Sequence, residues 1–350
     1  MLCLALYASV RSYAPAAARE IPTTTPTPFL PGTLTPTPFG PDGNADLSGS
    51  EGLILPQYTP TPVPENPPWA PYAGPIHPAS IPIPTPVKEF DLGPDVMNIA
   101  LLGRDTRPYG GTYNTDTMMI LSINRAKKTA VMISFPRDTY VYIPAYGMWR
   151  LNAAFAEGMT LNYPGGGFAL FQDTMKYNFG LHIDHYAMMN FWGFRGMIDS
   201  LGGIDVYAAS TLFDARDGYD GFTVPAGYFH MDGETALWYV RSRATSSDID
   251  RTRRQQEVLV GMVQRLLNLN ALGNIPGFFV TLTKYVESDL ALEIVTPYID
   301  MATSISPSSV RRFGLTKPDH LAEWWTPEGS NVLLPNTPAI LALLDAALNQ

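Results

Sequence analysis

The chain has 350 residues, room for one large domain or two ordinary ones, but 21 of its 33 prolines fall before Val96 and take the first quarter out of any core. From Val96 onward 20 Lys and Arg stand against 24 Asp and Glu, within a formal net charge of −9 for the whole chain, which excludes a basic reading surface and with it nucleic acid as a partner. Cys3 is the only cysteine, so disulfides, thiol catalysis and cysteine-ligated zinc are excluded from the globular part.

Met1 to Val10 (MLCLALYASV) is apolar throughout most of its length but shorter than the ~20 residues that a membrane-spanning helix needs. Residues 1–13 read as the remnant of a membrane anchor or signal segment. Residues 14–95 carry TTTPTP (Thr23–Pro28), TLTPTP (Thr33–Pro38) and YTPTPVP (Tyr58–Pro64). Such a stretch lacks backbone donors and buries too little apolar surface to offset its ordering entropy, which predicts a disordered, extended spacer. Residues 96–350 are then one globular unit.

Within it, NIALLG (Asn98–Gly103), TMMILSIN (Thr117–Asn124), TAVMISF (Thr129–Phe135) and TYVYIP (Thr139–Pro144) are short β-type runs joined by turns, together predicting a central sheet. Phe168, Phe171, Met175 and Phe179 recur at three or four and predict an amphipathic helix over Gly167–Phe179; a second spans Phe191–Leu201 and stops at Gly202 and Gly203. The strand IDVYAA follows. Asp232 predicts an N-cap for a helix through Ala236, Leu237 and Val240, and a longer helix runs from Asp250 or Arg251 to about Asn268. Pro276–Ser304 reads as two further helices, Val310–Leu315 as a strand and Thr337–Leu348 as a closing helix. The class is α/β, a central mixed sheet sandwiched between helices.

Three constellations carry chemistry. In the first, Gly103-Arg104-Asp105-Thr106-Arg107 follows an apolar strand, and Asp116 opens the next one. Ligands of α/β sheets bind past strand ends, and two carboxylates there suit Mg²⁺ completed by substrate phosphate, although both also suit turns. In the second, Pro136-Arg137-Asp138 puts a guanidinium at a strand mouth with a carboxylate to hold it, either a phosphate grip or a surface pair. In the third, five of the 20 cations crowd into Arg241–Arg254. At 100° per residue Arg251, Arg254 and Gln255 share the stripe of Val258, Met262 and Leu266, while Arg253 faces away. Cations on a core-facing stripe at a helix start predict an anion site, or else an internal net with Asp248, Asp250 and Glu257.

In these residues the chain resembles the LytR–CpsA–Psr family. GRDTR (Gly103–Arg107), TDTMM (Thr115–Met119), SFPRDTYV (Ser134–Val141), RLNAAFAEG (Arg150–Gly158), HIDHY (His182–Tyr186), LGGIDV (Leu201–Val206), DGETALWYVRSR (Asp232–Arg243) and DIDRTRRQQ (Asp248–Gln256) occur in the family's order across residues 96–270. The resemblance implies the family's three-layer fold. It also implies a Mg²⁺-dependent phosphotransferase that moves a glycopolymer from a polyprenyl-pyrophosphate carrier onto peptidoglycan or another wall glycan, at the extracytoplasmic membrane surface. Asp105, Asp116, Arg137 and Arg251 would be catalytic, Asp105 and Asp116 as the metal-holding or acid–base carboxylates. Arg137, Arg241, Arg243, Arg251 and Gln255, with Asp248 assisting and Arg107, Arg150 and Arg254 beside them, would grip the pyrophosphate. Phe168, Phe171, Met175, Phe194, Met197, Met262 and Leu266 would line the lipid tunnel. Arg104 stands where the family usually has a small residue, and Arg150 where lysine is common. A pyrophosphate hydrolase would share every one of these residues, and a non-catalytic lipid or glycan binder would tolerate loss of Asp105.

Overall fold

The computed structural model describes residues 81–349 except 105–112, 217, 243–247, 269–282 and 299–309. All of them belong to the unit Gln57–Gln350. The segment read as an anchor remnant and most of the one read as a spacer lie outside the described residues. Among the described residues no helix is long and apolar enough to cross a membrane.

Residues 81–95, assigned to the spacer by their prolines, belong to the domain. The Val87 and Phe90 N–H groups donate to Tyr177 O and Gly180 O, each at 2.9 Å, and Val87 is buried in the core. Gly180 permits this approach, because a Cβ there would lie 2.3 Å from Lys88 O. Proline content removed donors from this segment without removing the apolar residues that find a surface to cover.

The runs read as strands form β1 (Val96–Arg104), β2 (Thr115–Asn124), β3 (Thr129–Ser134) and β4 (Tyr140–Ile143). Only the first three enter the central sheet. After Pro136 the chain turns away, and β4 pairs with β5 (Gly147–Arg150) as a separate ribbon. Then come α1 (Ala154–Thr160), α2 (Gly166–Phe179), β6 (His185–Asn190), α3 (Phe191–Ser200) and β7 (Ile204–Ala208). A hairpin of β8 (Leu212–Arg216) and β9 (Tyr219–Val224) leads to β10 (Gly227–Met231), the antiparallel partner of β7. Next are α4 (Gly233–Arg241), α5 (Asp248–Asn268), β11 (Glu287–Ser288), α6 (Leu292–Val295), β12 (Arg311–Gly314), β13 (Leu321–Trp325), β14 (Asn331–Pro335) and α7 (Thr337–Leu348). Of the two helices expected over Pro276–Ser304, the described residues show only short helical turns and β11, an edge strand on β6.

The six-stranded sheet runs β11-β6-β1-β2-β3-β12, with β1–β6 and β3–β12 parallel and the other neighbours antiparallel. It is a mixed sheet with helices on both faces, so its central strands read as nearly unbroken apolar runs. On one face Ala100, Leu102, Met118 and Ile120 meet Phe171 and Met175 of α2 and Ile340 and Leu344 of α7. On the other, Leu101 and its register partners Met119 and Ala187 look toward α5. A second core cluster, including Ile198, Val206, Tyr239 and Val258, ties α3, α4 and α5 to β7.

Asp232 caps α4, its Oδ1 accepting from Thr235 N at 2.8 Å. Hydrogen bonds from the Thr235 hydroxyl and then its N–H hold the carboxyl below the usual carboxylate range. A depressed folded pKa means that the stabilisation is present above the unfolded value and is lost as pH falls through the folded one. Asp232→Ala should therefore cost about 1 kcal/mol at neutral pH, and thermal melts of the two proteins should converge in acid.

Candidate active site

Between the inner face of β1, β2 and β6 and the helices α3, α4 and α5 lies a cavity of ≈ 900 Å³. Leu101, Met119 and Ala187 form one row of its floor across three strands, and Thr117, Gly103 and Met189 the next. Phe194, Leu237, Val258, Leu259 and Met262 wall it from the helices. The polar end holds Asp116, Arg137, Arg241, Arg251 and Gln255. The cavity thus combines apolar walls with a charged lining in which Arg137, Arg216, Arg241 and Arg251 stand beside Asp116, Asp214 and Glu234.

A break in register aims Asp116. Gly103 pairs with Thr117 but Arg104 pairs with Thr115, so Asp116 is the extra residue of a β-bulge. Strict alternation would send Asp116 and Thr117 to opposite faces of the sheet; here both line the cavity. Arg137 Nη1 donates to Asp116 Oδ1 at 2.7 Å, and its Nε to Asp138 Oδ2 at 3.3 Å. Burial works against the Arg137 charge, but the Asp116 bond and the Asp138 field outweigh it and raise its pKa. Asp138 is itself held by Arg150 Nε at 3.4 Å.

The start of α5 divides its cations. Arg251, Gln255, Val258, Leu259 and Met262 recur at helical spacing and all line the cavity, and Gln255 Nε2 donates to Thr117 Oγ1 at 3.1 Å. Arg241, at the end of α4, lies with its Cζ 4.3 Å from the Phe191 ring centroid, a cation–π contact. Arg253 pairs with Glu257 at 2.7 Å and Asp250 at 3.3 Å. For Arg253 the internal net, and for Arg251 and Gln255 the open cavity, is what the fold builds.

The sequence model of the LytR_cpsA_psr family matches residues 83–343. The chain belongs to the LytR–CpsA–Psr family. It is 33% identical over 202 residues to an Enterococcus faecalis polyisoprenyl-teichoic acid–peptidoglycan teichoic acid transferase, TagU, over 56% of this chain and 62% of that one. To the Bacillus subtilis transferase TagT it is 30% identical over 241 residues, 67% of this chain and 72% of that one. Among solved structures, TagT bound to LI-WTA has a TM-score of 0.55 at 27% identity over 75% of this chain and 95% of that one. B. subtilis TagV has a TM-score of 0.60 at 21% identity over 73% and 98%, a likeness of fold.

Several residues that the LytR–CpsA–Psr resemblance pointed to stand elsewhere. Arg254 is 2% exposed and does not line the cavity: about 60° around the helix from Arg251, it reaches the end of α4, where its Nη2 donates to Ser242 O at 2.6 Å. Burial lowers its pKa. Arg150 is also outside, its Nη2 donating to Asn331 O at 2.8 Å; it steadies Asp138 and through it Arg137. Phe168, Phe171 and Met175 belong to the core on the opposite face of the sheet, so that stripe packs α2 and lines no tunnel. Met197 and Leu266 lie in the cluster behind the cavity wall, while Phe194 and Met262 do line it. Asp105, Arg107, Arg243 and the side chain of Asp248 lie outside the described residues.

Other lining residues carried no expectation. Asp214 and Arg216 come from β8 and Trp238 from α4. Arg216 stacks on Phe222 at 4.3 Å, and Trp238 Nε1 donates to Ala215 O at 2.8 Å. Their signal was Asp217-Gly218, a hairpin-forming pair between two β-type runs.

Proposed function

We propose that this chain transfers a glycopolymer from a polyprenyl-pyrophosphate carrier onto peptidoglycan or another wall glycan, at the extracytoplasmic face of the membrane. The carrying observation is the single cavity in which apolar walls run into Arg137, Arg241 and Arg251. A prenyl chain with a pyrophosphate head has that same polarity along its length, and the teichoic acid transferase relatives support the choice of substrate class.

In this reading an acceptor sugar hydroxyl attacks the phosphorus that bears the glycan. The bond from that phosphorus to the bridging oxygen breaks, polyprenyl phosphate leaves, and the hydroxyl proton passes to a carboxylate of the site. Arg137, Arg241 and Arg251 stabilise the charge that gathers on the phosphoryl oxygens, and Gln255, fixed by Thr117, adds a neutral donor. Asp116 holds Arg137 in place, and the low-dielectric walls keep water from competing with the acceptor.

The donor set fits Mg²⁺. Asp116 offers a carboxylate in the cavity, beside the Arg137 guanidinium. Mg²⁺ suits such a place, since it is held by one or two carboxylates, water and substrate phosphate. Asp116 with Asp105 would hold it, and it would supply charge neutralisation of the pyrophosphate.

The test is incubation with a polyprenyl-pyrophosphate-linked disaccharide with and without peptidoglycan fragments. A phosphodiester-linked wall product is expected only when fragments are present. Equal release of glycan phosphate without them identifies a hydrolase, and binding without turnover identifies a carrier protein.

A further inference from the structure

At the cationic end of the cavity, one of its lining residues is gripped from three sides. Ser242 follows the last helical residue of α4, Arg241, and its backbone is extended. Its N–H donates to Trp238 O at 2.9 Å. Its hydroxyl donates to Asp214 Oδ2 on β8, and its carbonyl accepts from Arg254 Nη2 of α5 at 2.6 Å.

Arg254 is costly to place there. It is 2% exposed, and a buried guanidinium is tolerated only where its surroundings answer the charge. They do so in part through the Tyr239 ring, whose centroid lies 5.6 Å from its Cζ. Tyr239 is in turn locked by its hydroxyl to Glu257 Oε2 at 2.7 Å. The cation also sits against a carbonyl at a helix C-terminus, where positive charge is favoured. An apolar side chain would fill this interior at less cost, but it could not fix the Ser242 carbonyl. What the arrangement achieves is a defined position for the segment that carries Arg241 into the cavity.

We infer that Arg254 and Asp214 are positioning residues, a clamp on Ser242 that sets where Arg241 meets an anionic ligand. The inference rests on the pyrophosphate-binding reading of the same cavity and assigns the task of shaping its grip to Arg254, off the cavity lining, and Asp214, on it. Arg254 touches no ligand in this scheme; it acts through the backbone of Ser242. Lysine at this position keeps the charge but loses the planar fork that reaches Ser242 while stacking beside Tyr239.

The test is a double-mutant cycle read by calorimetry, with geranylgeranyl pyrophosphate as the probe and thermal melts of every variant. Arg254→Lys and Arg241→Ala should each weaken binding about tenfold, and the double variant should bind no worse than Arg241→Ala alone, because the clamp works only through Arg241. A residue needed merely for packing would give additive losses. Ser242→Ala removes the hydroxyl that Asp214 holds and spares the carbonyl. It should weaken binding about threefold, again only when Arg241 is present, and it carries the test should Arg254→Lys fail to fold. Additive losses in both cycles overturn the clamp and leave the binding reading intact. A wild-type chain that does not bind the probe overturns the binding reading, and the clamp with it.

Discussion

Asp116→Asn should lower glycopolymer transfer about a thousandfold, equivalent to ~4 kcal/mol of barrier, while binding of the lipid-linked substrate falls far less. In the proposed reading the carboxylate supplies charge that a neutral amide lacks, both to hold a divalent cation against the pyrophosphate and to strengthen its bond to Arg137. The amide oxygen can still accept from Arg137 Nη1, so the guanidinium stays near its place and substrate binding persists. Folding should survive. Asp116 is the extra residue of a bulge and takes no part in the register of β2, and its ion pair is partly exposed, at 33% and 27% for the two side chains, which limits it to about 1 kcal/mol or less. Single-turnover transfer and substrate affinity at saturating Mg²⁺, beside a thermal melt, check all three points. Near-normal turnover would make Asp116 an Arg137 support and nothing more; a collapsed melting temperature would make it structural. Asp105→Asn carries the same expectation through the family resemblance.

Filling the apolar half of the cavity should separate tail from head. Leu259 is half-buried on the cavity wall, and Leu259→Trp takes room from the chain without touching the arginines. At ~0.8 kcal/mol per buried CH₂, excluding three or four methylenes weakens a long prenyl pyrophosphate roughly a hundredfold. Inorganic pyrophosphate should bind as before. Phe171→Ala is the control from the opposite face of the sheet. It should cost about 3–5 kcal/mol of stability as a core cavity, measurable by denaturant unfolding, with the preference for chain length unchanged. Equal loss of both ligands in Leu259→Trp, or a changed chain-length preference in Phe171→Ala, would put the tail elsewhere.

The contrast between these two sites marks where sequence reading stopped. The α2 stripe of Phe168, Phe171 and Met175 and the α5 stripe of Val258 and Met262 look alike, since periodicity reports only that a face is covered. Which cover is solid and which is hollow depends on what stands opposite. Across from α2 stand the even-numbered side chains of β1 and β2, filling the space; across from α5 stand the odd-numbered ones, with Gly103 among them, and a gap remains. The same limit applies to the arginines of α5. Arg251 and Arg254 lie about 60° apart around the helix, too little to separate on a projected stripe but enough to send one to the cavity and the other to a carbonyl at the end of α4.

From its order of residues alone this chain determined the alternation of β-type runs and helices, the cap at Asp232, the strand-mouth Arg137 with its Asp138 partner, and the family to which the motifs belong. These are local properties, fixed by spacing along the backbone and by the chemistry of neighbouring side chains. Tertiary structure alone decided that residues 81–95 close the core, that β6 lies beside β1 to complete the cavity floor, and that Asp116 turns toward Arg137. A bulge shows only in the pairing of two strands distant in sequence, and a cavity only in the space that three layers fail to fill, so neither has a signature within any single segment.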